Sequence, residues 1–297
     1  MRQFGAFWLS LIFLLTGHMA EPGGVSVPSS SPTCADSVLE QIETIEPLEP
    51  VGIIVPAEPT ELVADLNRQI RFITHGAGTI DGLAGSNSRE ALEAAYAAGC
   101  RFVELDFNFT ADGDLACIHD WVSQYSSGIT DCVPLTADRF RECRIYDAYT
   151  PMLLSDVASY LAAYTDLYII TDIKDDNLAG LAHIAAAYPN LRSRFIVQIY
   201  SEDEYDVAWD LGFSQIIYTL YRLDWAEKTD TNHLREFAKE HLLFAYTFAA
   251  QLCHLDGYVE EMLTCGVPLF VHTVNGDEEQ ERYFAMGISG IYTDERK

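Results

Sequence analysis

From residue 71 onward the chain alternates short apolar runs with longer amphipathic stretches. The apolar runs are "RFITH" (71–75), "RFVELDF" (101–107), "LACIH" (115–119), "LYIITDI" (167–173) and "RFIVQIY" (194–200). They continue as "QIIYTLY" (215–221), "LLFAYTF" (242–248), "PLFVHTV" (268–274) and "GIYTD" (290–294). Their length and their content of β-branched and aromatic residues predict strands. Between most of them lie segments of helical period, such as "SREALEAAYAAG" (88–99) and "DEYDVAWDLG" (203–212). Each of these two closes on a glycine, the residue best suited to leave a helix through a left-handed conformation.

Strand followed by helix, repeated through one chain, predicts a parallel sheet, and about eight such repeats predict a closed (β/α)8 TIM barrel. The nine candidates exceed the eight that such a barrel holds. The segment "NFTADGD" (108–114) is also too short for a crossover helix. Either the crossover between the second and third strands is irregular, or one candidate lies outside the barrel.

The amino-terminal segment, residues 1–66, has a different texture. Arg2 precedes the apolar run "FGAFWLSLIFLL", which is shorter than the ~20 residues of a spanning helix and fits the core of a secretory signal. Residues 1–20 therefore read as a signal peptide or an uncleaved N-terminal anchor. Residues 21–66 are rich in Pro, Ser and Glu and read as a linker, and residues 67–297 as the barrel domain. The expected location is secreted or at the outer face of the cell membrane.

Composition narrows the function classes. A net charge of −27 opposes general nucleic-acid binding and reads mainly as a solvated surface. At an anionic membrane surface such a protein would need a metal or a local apolar face to dock. No protein partner is predicted. Export makes disulfides admissible, and among the seven cysteines Cys132 with Cys143 and Cys253 with Cys265 are candidate pairs. Cys100 and Cys117 sit in apolar runs and read as small buried residues. No CxxC pair exists, which argues against a cysteine zinc site.

The polar residues at the strand ends carry the chemistry, because a β/α barrel builds its active site at the C-terminal ends of its strands. His75 ends the first strand, Glu104 and Asp106 the second, His119 the third, and Asp172 and Lys174 the fourth. Alternate strand residues share a face, so Glu104 pairs with Asp106 and Asp172 with Lys174. Three clustered carboxylates repel one another unless a cation lies between them, and oxygen ligands favour Mg²⁺ or Ca²⁺. His119 is expected to face this cup, with Asp120 orienting it. Trp121, Tyr218, Tyr221 and His272 are candidates for the wall of a substrate pocket. His183 and His254 read as structural.

The order of these elements resembles the glycerophosphodiester phosphodiesterase family, within the phospholipase C-like phosphodiesterase superfamily of TIM barrels. The resemblance rests on "ITHGAG", "GSNSREALEAAYAAG", "VELDFNFTADGDLACIHD", "PMLLSDVASYL", "YIITDIK", "VHTVN" and "GIYTD", in order from about residue 71 to 294. It implies that Glu104, Asp106 and Asp172 bind one divalent cation, Ca²⁺ or Mg²⁺. It implies that His75 and His119 are the acid/base pair and that Lys174 binds a phosphoryl oxygen. The implied substrate is a glycerophosphodiester or a related phospholipid-type diester, a small molecule or a lipid, cleaved directly or through a cyclic phosphate.

Two positions depart from the family pattern. Gly76 stands where an arginine usually follows the first histidine, and Ser86 stands where an acid usually precedes Asn87. The first removes a bidentate phosphate ligand, and the second a potential metal carboxylate, leaving Asn87 as a supporting oxygen. The alternatives are a catalytically silent barrel that binds a phosphate or glycan, and a Schiff-base aldolase using Lys174.

Overall fold

The computed structural model describes residues 66–122 and 133–297. The predicted signal and most of the predicted linker lie outside the described residues, as does Cys132 of the first candidate disulfide. All nine predicted strands form: β1 (Phe72–Thr74), β2 (Phe102–Phe109), β3 (Leu115–Cys117), β4 (Tyr168–Ile173) and β5 (Phe195–Ile199). They are followed by β6 (Ile216–Thr219), β7 (Ala245–Ala249), β8 (Leu269–His272) and β9 (Gly290–Thr293).

Eight of them run parallel in the order β1-β9-β8-β7-β6-β5-β4-β2, and the pairing of β1 with β2 closes the barrel. The ninth candidate lies outside it. β2 extends beyond the barrel to Phe109, and β3 folds back against that extension, antiparallel, with Phe107 opposite Cys117 and Phe109 opposite Leu115. The connection is a hairpin and not an irregular crossover. Thr110 donates its hydroxyl to Asp112 (2.7 Å) and Gly113 turns at φ 88°, so five residues reverse the chain.

The period-two pattern now has a direction. Ile73, Ile170, Ile196, Ile217, Phe270 and Tyr292 fill the barrel interior. Val103, Leu105, Phe107, Ile169 and Ile173 face outward into the larger core beneath the helices. Along β2 and β4 the positions alternate with those outward residues, so Glu104, Asp106, Ile170 and Asp172 point inward. The register Glu104 opposite Ile170 and Asp106 opposite Asp172 sets two carboxylates side by side at the mouth.

Both glycine-closed helices form, over Arg89–Ala97 and Glu204–Asp210, and Gly99 and Gly212 take positive φ of 101° and 89°. Cys253 and Cys265 are free thiols, which corrects the expected pair. Each is buried in the outer core, where loss of solvent pushes the Cys253 thiol up to about 12 and also raises Cys265. Cys143 is likewise free, and Cys100 and Cys117 are buried as expected.

Candidate active site

The site is built on the interior face of β2 and β4. Glu104, Asp106 and Asp172 each offer a carboxylate oxygen, and these oxygens lie within 4.8 Å of one another. Glu104 and Asp106 are 2% exposed, so their charges have almost no water to solvate them. Burial and the neighbouring Asp106 charge push Glu104 up to about 8.

The support of each carboxylate comes from elsewhere in the chain. The Gly76 N–H donates to Glu104 Oε2 (2.7 Å). Asn87 holds Asp106 at two points: its Nδ2 donates to Asp106 Oδ2 (2.8 Å), and its Oδ1 accepts from the Asp106 backbone N–H (3.0 Å). Asn87 is thus a support for Asp106, in a turn it enters with φ 52°. Asp172 Oδ1 accepts from the hydroxyls of Tyr200 and Tyr221. The Arg222 guanidinium stacks 3.5 Å over the Tyr200 ring, with Nη2 3.7 Å from Asp172.

Lys174 bridges the acids. Its Nζ lies 2.6 Å from Asp106 Oδ1 and 2.7 Å from Asp172 Oδ2. Burial alone would lower its pKa, but Asp172, Asp106 and Glu104 outweigh that and raise it above the ordinary lysine value. Asp172 responds in the opposite sense: burial is outweighed by Lys174 and Tyr200, and its pKa falls. A Schiff-base lysine must be neutral to attack a carbonyl, so this salt-bridged ammonium is unsuited to the aldolase reading.

His75 follows β1 and is part-buried, with Nδ1 2.8 Å from Asp294 Oδ1. Burial depresses its pKa, yet the hydrogen bond to Asp294 and the charges of Glu104 and Asp106 prevail and raise it to about 9. Asp294 is fixed in turn by Asn275, whose Nδ2 donates to Asp294 Oδ2 (2.7 Å). The sequence singled out neither residue individually, although "VHTVN" and "GIYTD" contain them.

His119 comes from the hairpin and not from a barrel strand. Its side chain is half exposed, and its Nδ1 lies 2.9 Å from Asp120 Oδ2. Asn108 fixes the preceding backbone by donating to the carbonyls of Ile118 (3.0 Å) and His119 (2.8 Å). Asp120 therefore has the orienting contact expected of it.

The four candidate wall residues divide. Tyr221 and His272 line the same pocket as His75, Glu104 and Asp172, a space of ≈ 40 Å³ completed by Gln198, Thr219, Thr247 and Tyr292. Burial first, and His75 second, lower His272 to about 4, so it is neutral near pH 7. Trp121 is not in this pocket. It is buried against Phe140 in a satellite core with Ile118 and Ile145. Tyr218 is also placed elsewhere, packed on Phe237 and Tyr246 beneath the outer helices. Strand-end position could not distinguish these aromatics, because the sheet directs neighbouring side chains to opposite faces.

The donor set fits a hard cation. Glu104 Oε1 is a buried oxygen without a hydrogen-bond donor, and Asp106 Oδ1 is met by the Lys174 ammonium; both belong to the carboxylates that cluster. All three ligand candidates offer oxygen, the donor type that Mg²⁺ and Ca²⁺ prefer.

A family model described as the glycerophosphoryl diester phosphodiesterase family matches residues 76–296. No curated protein matches the chain. Among solved structures, a glycerophosphodiester phosphodiesterase from Thermotoga maritima is 21% identical with a TM-score of 0.59, covering 76% of this chain and 94% of that one. One from Parabacteroides distasonis is 20% identical with a TM-score of 0.59, covering 75% and 92%. A phosphodiesterase from Oleispira antarctica, solved with the product sn-glycerol-3-phosphate, is 16% identical with a TM-score of 0.57, covering 76% and 93%. At these identities the likeness establishes the fold.

Proposed function

The chain belongs to the glycerophosphoryl diester phosphodiesterase family, whose members are phosphoric diester hydrolases, and we propose that it cleaves a glycerophosphodiester or related phospholipid-type diester at the mouth of this barrel. The observation that carries the reading is the trio of inward carboxylates on β2 and β4, with Glu104 Oε1 lacking a donor, beside His75. Glu104, Asp106 and Asp172 hold the divalent cation, Ca²⁺ or Mg²⁺. Bound there, it supplies Lewis-acid stabilisation of charge on the non-bridging phosphoryl oxygens.

The remaining work belongs to the chain's own groups. Displacement at phosphorus requires one group to remove a proton from the attacking oxygen and another to protonate the leaving alkoxide. His75, kept protonated by Asp294, is suited to donate; His119, oriented by Asp120, is suited to accept. Lys174 neutralises Asp106 and Asp172 and can turn its ammonium to a phosphoryl oxygen when a cation takes over that task. The attacking oxygen is either water or a neighbouring substrate hydroxyl, the latter giving a cyclic phosphate.

The segment 1–20 supports export, which puts the reaction outside the cytoplasmic membrane, secreted or at its outer face. Following ³¹P NMR of glycerophosphodiesters and lysophospholipids with the protein, with Ca²⁺ or Mg²⁺ and with EDTA, tests the chemistry. A phosphomonoester or cyclic phosphate that appears only with metal, and not with His75→Ala, is the expected result. Intact substrates together with calorimetric metal binding would favour the silent phosphate-binding barrel.

A further inference from the structure

A second pocket shares a wall with the first. It has ≈ 180 Å³ of space and is lined by Leu220, Tyr221, Trp225, Ala249 and Leu252, with Lys228 and Gln251 as its polar members. The acidic pocket, at ≈ 40 Å³, has room for an ion and its immediate ligands but not for an extended chain. Tyr221 separates the two: its hydroxyl donates to Asp172 (3.3 Å), its ring meets His272 edge-on, and it also lines the apolar cleft.

The position follows from the strand order. In the closed barrel β6 lies opposite β1, so the cleft at the ends of β6 and β7 is across the mouth from His75. Trp225, on the short helix Trp225–Thr229, leaves 62% of its surface in water, and Tyr221 leaves 37%. Large aromatic side chains left open beside a cavity lined by Leu and Ala gain free energy when an apolar group covers them.

Resting on the phosphodiesterase reading above, we infer that this cleft receives the acyl chain of a monoacyl phosphodiester lipid, so that the substrate is lysophospholipid-like. A substrate held this way spans the mouth, with its phosphate at the carboxylates and its chain over Tyr221 toward Trp225. A deacylated glycerophosphodiester would leave the cleft filled with water and forgo that burial.

The test compares a short-chain lysophosphatidylcholine, kept below its micelle concentration, with glycerophosphocholine. The two share the phosphate and both polar ends. The expected kcat/KM of the full chain with divalent cation is about tenfold or more higher for the acylated substrate, the discrimination a few buried methylenes supply. Trp225→Ala, which removes one wall, and Ala249→Phe, which fills the space, should each bring that ratio down about tenfold. Two opposite changes guard against a folding artefact, since a misfolded variant would lose both substrates together. Equal wild-type turnover of the pair, or a ratio that neither variant moves, overturns the inference while leaving the phosphodiesterase reading intact. No turnover of either, with metal present, would sink both.

Discussion

Gly76 shows why the arginine of the family pattern is not simply missing. The residue stands at φ 53°, and a Cβ there would lie 2.5 Å from the Gly85 Cα, a backbone atom that cannot rotate away. Its N–H also holds Glu104. Gly76→Arg is therefore expected to destabilise the fold by about 1–3 kcal/mol and to weaken metal binding, not to restore a phosphate ligand. Urea denaturation and calorimetric metal titration check the two halves. At Asp294 the expectation concerns pH. His75 titrates at about 9 instead of 6.5, so it stays protonated until pH rises through that value. A bound cation cancels the help from Glu104 and Asp106, whereas the Asp294 contact persists. Asp294→Asn lowers the His75 pKa, so the alkaline limb of kcat/KM should move to lower pH. An unmoved limb would show that the rate does not depend on the His75 proton.

At the scale of the element, local chemistry explains much of the rim. Ser88 caps the helix Arg89–Ala97 by accepting from the Ala91 N–H (3.3 Å), directly after Asn87 has bound Asp106. The cap thus fixes both the start of the helix and the turn that steadies Asp106, the proposed metal ligand. Ser88→Ala should cost about 1 kcal/mol in denaturant unfolding. Asn87→Ala should cost about 10–100-fold in metal affinity or activity, as loss of a ligand's outer hydrogen bonds does. A metal titration that Asn87→Ala leaves unchanged would remove Asp106 from the ligand set. The β2–β3 hairpin is the other decisive element, because it carries His119 out of the barrel wall and seats Trp121 over Phe140.

On the scale of the whole molecule, the three buried acids crowd negative charge that a bound cation would neutralise. A cation that binds the folded chain alone stabilises it by RT ln(1 + [L]/Kd), about 2.7 kcal/mol at a hundredfold excess over Kd. Adding Ca²⁺ or Mg²⁺ should therefore raise the melting temperature, EDTA should reverse the rise, and Asp106→Asn should abolish it. A melting curve indifferent to both ions would leave the cluster to be neutralised by Lys174, His75 and Arg222.

The amino-acid order by itself determined the features that depend on near neighbours. Strand and helix periods are local, and so are the alternation that puts Glu104 with Asp106 on one face and the glycines that end two helices. Those suffice to predict the β/α repeat, the inward carboxylates and the strand-end placement of His75. Tertiary structure alone decided the contacts between distant segments. Asp294 reaches His75 across 219 positions, and Tyr200 and Tyr221 reach Asp172 across 28 and 49. Barrel closure brings those rims together, and no local period encodes it. Tertiary packing also decided that Cys253 and Cys265 remain separate thiols. It likewise drew Tyr221 and His272 into the pocket while Trp121 and Tyr218 packed into cores. A side chain's partner is set by which distant strand lies across from it, and that is fixed only when the sheet closes.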